Sequence, residues 1–159
     1  MDYNRLCRGC FHELPMAGMV CPHCGFNEKE YERNRRPEML PLNTILRGSY
    51  IVGRCLGKGG FGITYIGWHI NLESVVAIKE FYPAGIVFRD TNNPYTQNGT
   101  AVSLTDSGFN KAYQKALGSF IKEARTLGKL RLPGVVLVHD VLRKTIPCIW
   151  SWTLFRDVI

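Results

Sequence analysis

The sequence predicts an α+β protein in two parts: a small cysteine-paired module, then a larger unit with an antiparallel sheet and one long helix. Three observations predict it. Four of the six cysteines form two C-x-x-C pairs near the N-terminus. Three short runs rich in β-branched and aromatic residues then follow one another across short turns. Beyond them, apolar residues recur at spacings of three and four over residues 109–127. A length of 159 residues accommodates one ordinary domain, or a module plus a partial one.

Residues 1–26 carry the paired cysteines. Cys7-Arg8-Gly9-Cys10 and Cys21-Pro22-His23-Cys24-Gly25 are two knuckles separated by ten residues. Two residues between thiolates let a tight turn aim both sulfurs at one ion, and two facing turns make the tetrahedral four-sulfur site that zinc prefers. Gly9 and Gly25 relieve backbone strain beside the ligands. The segment resembles short zinc-ribbon modules. With Cys7, Cys10, Cys21 and Cys24 all ligating, no position stays open, so the expected zinc is structural. The pairing of two knuckles weighs against a lone redox motif, and the spacings are not those of ferredoxin runs. His12 and His23 are alternative ligands that read better as surface residues. Cysteines clustered in this way fit a metal in a reducing compartment better than a disulfide scaffold. No apolar run of membrane-spanning length and no secretory core is present, so the expected location is the cytoplasm. Asn98-Gly99-Thr100 then has no meaning as a glycosylation acceptor.

Residues 27–44 begin as a charged tract and contain Pro37 and Pro41. They show no buried-face periodicity and read as a linker. The formal charge of the chain is +7. Residues 1–47 hold 7 basic and 6 acidic side chains, against 13 and 7 in the remainder. The excess is dispersed rather than gathered into a stripe, which describes a solvated mixed surface and disfavours nucleic acid as a partner.

The larger unit is read over residues 45–141. Tyr50–Leu56, Ile63–Trp68 and Val75–Lys79 are strand candidates joined by short connections, which suggests an antiparallel meander. Cys55 falls on the first strand and reads as a core residue. Residues 80–108 look like a long irregular insertion, turn-rich at Asp90–Pro94. Phe109, Tyr113, Leu117, Phe120, Ile121, Ala124 and Leu127 then share one helical face. Asp106 or Ser107 is placed to cap this helix, and Gly118 weakens its middle. Pro133-Gly134 ends it, and Val135–Val138 reads as a further strand.

Leu56-Gly57-Lys58-Gly59-Gly60-Phe61-Gly62 contains G-x-G-x-x-G at Gly57, Gly59 and Gly62. A dinucleotide-binding loop would lead into a helix; this one leads into a strand, so it is a hairpin tip. Glycines in such a tip let backbone amides approach phosphate oxygens. Val76-Ala77-Ile78-Lys79 follows, with Lys79 17 residues past Gly62, and Glu123 falls on the helix. In this order and on these elements, the residues resemble the N-terminal lobe of bacterial serine/threonine protein kinases over residues 45–141. Thr44–Tyr50 resembles that family's lead-in, and Lys79-Glu80-Phe81-Tyr82-Pro83 followed by Arg89-Asp90 resembles an insertion found in some members. The resemblance implies ATP and magnesium as cofactors. It places Leu56, Thr64 and Ala77 around adenine and Gly57, Lys58, Gly59, Gly60, Phe61 and Gly62 over the phosphates. Lys79 would reach the α- and β-phosphates and be positioned by Glu123. Thr64 stands where kinases usually carry valine. The protein substrate is left open.

From Leu142 the resemblance stops. Residues 142–159 carry two tryptophans and a proline where a kinase needs a strand and a hinge. A reading shifted by one nucleotide after Val141 permits V-Y-M-V-M-D-F, so this tail is read as out of frame. The sequence has no H-R-D, D-F-G or A-P-E. The chain by itself is therefore expected to be inactive, to bind ATP weakly and to leave a sheet edge unpaired. Two other readings are a non-catalytic interaction module built from ribbon and half-lobe, and a nucleic-acid-binding ribbon.

Overall fold

The computed structural model describes residues 2–90, 101–130, 137–141 and 152–155. A two-residue strand, β1 (Ile45–Leu46), leads into β2 (Tyr50–Lys58), β3 (Gly62–His69) and β4 (Ser74–Phe81). The three longer strands are those expected, each extended by one or two residues at one or both ends. They pair antiparallel, as the short connections require. The alternation of side chains then gives the sheet two apolar faces. On one face Val52, Ile63, Tyr65, Val76 and Ile78 join the main core. On the other, Ile51, Ile66 and Trp68 join a second cluster.

The segment 80–108 is more ordered than the irregular insertion expected. It contains β5 (Val87–Asp90) and β6 (Ala101–Leu104), paired antiparallel as a separate two-stranded sheet. Residues 91–100, including the turn-rich stretch after Asp90 and Asn98-Gly99-Thr100, lie outside the described residues. The insertion is fixed to the main sheet by a buried ion pair. Arg89 Nη1 and Nη2 donate to Glu80 Oε1 and Oε2 at 2.7 and 2.8 Å. Tyr65 Oη donates to Glu80 Oε2 at 2.9 Å, and burial pushes the Tyr65 phenol far up.

The long helix α2 covers Asn110–Lys129. Tyr113, Leu117, Phe120 and Ala124 form its buried face, with the Tyr113 and Phe120 rings 5.4 and 5.1 Å from that of Phe81. Phe109, expected on that face, is 42% exposed, because it precedes the helix and ends a 3-10 turn at Ser107–Phe109. Asp106 caps that turn, accepting from Gly108 N at 2.6 Å, rather than the helix proper. Pro133-Gly134 lies outside the described residues. The strand expected at 135–138 is β7 (Leu137–Val141).

Two expectations are corrected outright. The sheet edge beside β4 is not left open. Trp152–Phe155 forms β8, and the strand order is β1-β2-β3-β4-β8-β7. Ala77 pairs with Leu154, and Val138 pairs with Leu154 from the other side. Ladder pairing asks for strand-compatible residues rather than a particular sequence, and Trp-Thr-Leu-Phe is strand-compatible. The remainder of the tail, 142–151 and 156–159, lies outside the described residues. The supposed linker is also structured. It holds a helix, α1 (Glu28–Asn34), whose N-terminus is capped by Asn27, and a fully buried Leu40. Leu40 N donates to Tyr65 Oη at 3.0 Å, and Arg89 Nε donates to Glu38 O at 3.2 Å. Periodicity over so short and charged a stretch could not reveal one leucine used as an anchor.

The cysteine module packs on the second face of the sheet. Leu6 and Phe11 bury against Ile51, Ile66 and Trp68, with Phe11 and Trp68 stacked at 5.8 Å. Arg54 N donates to Arg8 O at 2.9 Å, and Arg54 Nε donates to Gly9 O at 3.0 Å. A Cβ at Gly53 would lie 2.5 Å from Arg8 O, so this close approach requires glycine there. No helix among the described residues is long and apolar enough to cross a membrane.

Candidate nucleotide and metal sites

β2 and β3 carry the glycine sequence at their shared tip. Gly59 N donates to Gly62 O at 2.8 Å, closing the hairpin. Tyr82 N and Ala84 N donate to Phe61 O and Gly60 O, each at 3.0 Å, so the tip rests on the segment after β4. The glycines divide into two kinds. A Cβ at Gly62 would collide with Glu80 O, so packing alone demands that residue. At Gly57 and Gly60 a Cβ would meet nothing within 4 Å, and at Gly59 just Gly62 O at 4.0 Å. None of these three has a positive φ. Nothing in the fold explains why they are glycines; an unobstructed backbone facing open space suits a ligand that approaches closely.

Register brings the other expected residues to this hairpin. Gly57 pairs with Thr64, and Thr64 pairs with Lys79, so Thr64 and Lys79 share a face. Ala77, two residues before Lys79, lies on the same face and is buried. Lys79 Nζ donates to Glu123 Oε1 at 3.2 Å and stands 5.5 Å from the centre of the Phe120 ring. The pair joins β4 to α2 across 44 positions of sequence. Its side chains are 31% and 51% exposed. A pair that open contributes about 0–1 kcal/mol to stability.

Two of the expected residues have partners elsewhere in the chain. Lys58 Nζ donates to Glu38 Oε1 at 2.8 Å, and this bond holds the Glu38 carboxyl below its usual range. Leu56 packs beside the cluster that contains Leu6 and Phe11. Phe61 is at the tip as expected and 64% exposed. With Ala116, Phe120 and Glu123 it borders an apolar cavity of about 510 Å³. A larger cleft of about 810 Å³ runs between α1 and β2, past Tyr31, Arg54 and Cys55. It reaches Leu56, Gly57 and Lys58, and Lys79 is not part of its wall.

The four knuckle cysteines converge. Cys7 and Cys24 Sγ are 3.7 Å apart, and Cys10 and Cys21 Sγ are 3.8 Å apart. Four sulfurs bound tetrahedrally at about 2.3 Å from zinc would be about 3.8 Å apart, so the set fits that ion. Gly25 has φ +73°, as expected for strain relief. Gly9 serves packing instead, since a Cβ there would lie 2.5 Å from Phe26. Burial pushes the Cys7 thiol up to about 11 and raises Cys10 as well. Burial opposes the Cys21 thiolate too, yet the N–H groups of Cys24 and His23 and the thiols of Cys7 and Cys24 bring it down to about 7. A cation entering this set therefore displaces protons. Cys55, expected in the core, is only half-buried against it, and burial raises its thiol.

Sequence reasoning missed Arg8, Gly53 and Arg54, and it gave Glu80 and Arg89 as parts of an insertion without their pairing. Each acts through a partner distant in sequence, and no local spacing marks them.

No protein-family model matches the chain, and no curated protein does. Among solved structures the chain is similar to PpkA-294 in its apo form, a bacterial Ser/Thr kinase structure, at 29% identity and a TM-score of 0.65. The match covers 74% of this chain and 39% of that one. The fold is thus similar to part of a kinase domain: a curled antiparallel sheet with one long helix, beside a cysteine-rich cluster.

Proposed function

We propose that residues 45–141 are the ATP-binding lobe of a serine/threonine protein kinase and that residues 1–26 hold a structural zinc ion. The observation that carries this reading is the Lys79–Glu123 contact at 3.2 Å, made beside a glycine hairpin whose Gly57, Gly59 and Gly60 face open space. Backbone amides of the tip bind the phosphates, and Lys79 neutralises the α- and β-phosphates while Glu123 holds it there. Leu56, Thr64 and Ala77 cover adenine, the Thr64 hydroxyl lowering affinity modestly relative to valine. Magnesium would offset the charge of the phosphates; the D-F-G aspartate that would hold it in a kinase is absent from these residues. Transfer of the γ-phosphoryl to a serine or threonine hydroxyl belongs to the intact kinase, since H-R-D and D-F-G are absent from these residues.

An ATP acyl phosphate tests the site directly, because a lysine held at the phosphates attacks the acyl carbon and retains the acyl group. The expected result is acylation at Lys79 that excess ATP suppresses. Acylation scattered over surface lysines, unaffected by ATP, contradicts the reading.

For residues 142–159 we keep the shifted-frame reading. It puts V-Y-M-V-M-D-F at positions 148–154. Resequencing the gene across codons 135–160 decides it. Nucleotides that cannot encode that string in the next frame end the idea.

A further inference from the structure

We propose that the ribbon has a second metal position next to the four-sulfur one, formed by the imidazoles of His12 and His23 and sharing the thiolate of Cys10. Its cation is of the borderline-to-soft class, such as Zn²⁺ or Cd²⁺. The Cys10 Sγ and one ring nitrogen from each histidine all lie within 4.8 Å of one another. The two histidines come from opposite knuckles. His12 follows Cys10 by two residues, and its carbonyl accepts from Cys7 N at 2.9 Å, which turns the chain back over the first pair. His23 lies between Cys21 and Cys24. Their rings meet with centroids 3.6 Å apart and planes inclined by 17°. Both side chains are exposed.

Chemistry favours a shared ion. A thiolate bound to one zinc keeps lone pairs that can bridge to a second cation. A divalent ion held by four thiolates leaves a net double negative charge, and two neutral imidazoles add none. A second divalent ion would cancel that charge. Imidazole and thiolate together suit zinc and its softer relatives rather than magnesium or calcium. Ring lone pairs lie in the ring planes, so stacked rings must hinge apart to converge on one ion. Their exposure leaves them free to do so. Three protein ligands would leave one position for water.

Loading the full chain with ¹¹³Cd under reducing conditions tests the proposal by cadmium NMR and native mass spectrometry. The expected result is two cadmium ions per chain, with one four-sulfur resonance and one of mixed nitrogen and sulfur ligation. In the His12→Ala/His23→Ala variant the mixed resonance disappears and the count falls to one. The four-sulfur resonance persists and reports that the ribbon is folded. One ion per chain in the unaltered protein overturns the proposal, as does a second ion that survives in the variant.

Discussion

Gly59 and Gly62 are three residues apart, yet their glycines answer to different needs. A methyl group at Gly62 meets the Glu80 carbonyl, so Gly62→Ala should destabilise the fold by about 1–3 kcal/mol. At Gly59 the methyl group has room, so Gly59→Ala should leave stability within about 1 kcal/mol while weakening nucleotide binding. Chemical denaturation and a nucleotide titration on both variants check the pair. The Glu80–Arg89 pair makes a second residue-level test. Both side chains are nearly inaccessible, so Arg89→Met alone strands a buried carboxylate and should cost about 3–5 kcal/mol. Adding Glu80→Leu should recover part of that loss, because neither charge then remains buried. The glycine hairpin and the convergence of the four cysteines were legible in the sequence because both lie in short spacings. The Glu80–Arg89 pair was not. Nothing near Arg89 in the sequence says that β5 will bring it onto the residue after Lys79.

Among elements, the strands and α2 were legible for the same reason: period-two and period-3.6 patterns are local. The placement of the ribbon was not. Leu6 and Phe11 look like residues of a self-contained module, and Gly53 looks like an ordinary strand glycine. Their joint role appears once Arg8 O approaches β2. The first knuckle is thereby hydrogen-bonded at Arg54, three residues before Gly57. Metal in the knuckle and order in β2 should be coupled. Chelation is expected to lower the unfolding midpoint of the sheet itself, beyond any loss within the ribbon, and to weaken nucleotide binding. Gly53→Val should separate the two, giving a sheet whose midpoint no longer responds to chelation. Thermal unfolding with and without chelator, followed by far-ultraviolet circular dichroism, reads both effects.

The molecule as a whole combines a glycine-rich hairpin, an ion pair that joins β4 to α2 and a cysteine cluster clamped to β2. It spans 39% of the kinase structure to which it is similar. The polypeptide of these 159 residues, assayed alone with ATP and a mixture of serine and threonine peptides, is expected to transfer no phosphoryl group. Binding is a separate matter and is the most direct test of the central claim. The measurement is a titration of the ¹⁵N-labelled chain with a non-hydrolysable ATP analogue and magnesium, followed by amide chemical shifts. The account predicts weak, saturable shifts concentrated at Leu56–Gly62 and Ala77–Lys79. An absence of shifts there, or shifts confined to Tyr31, Arg35 and Arg36 in the cleft beside α1, would contradict it.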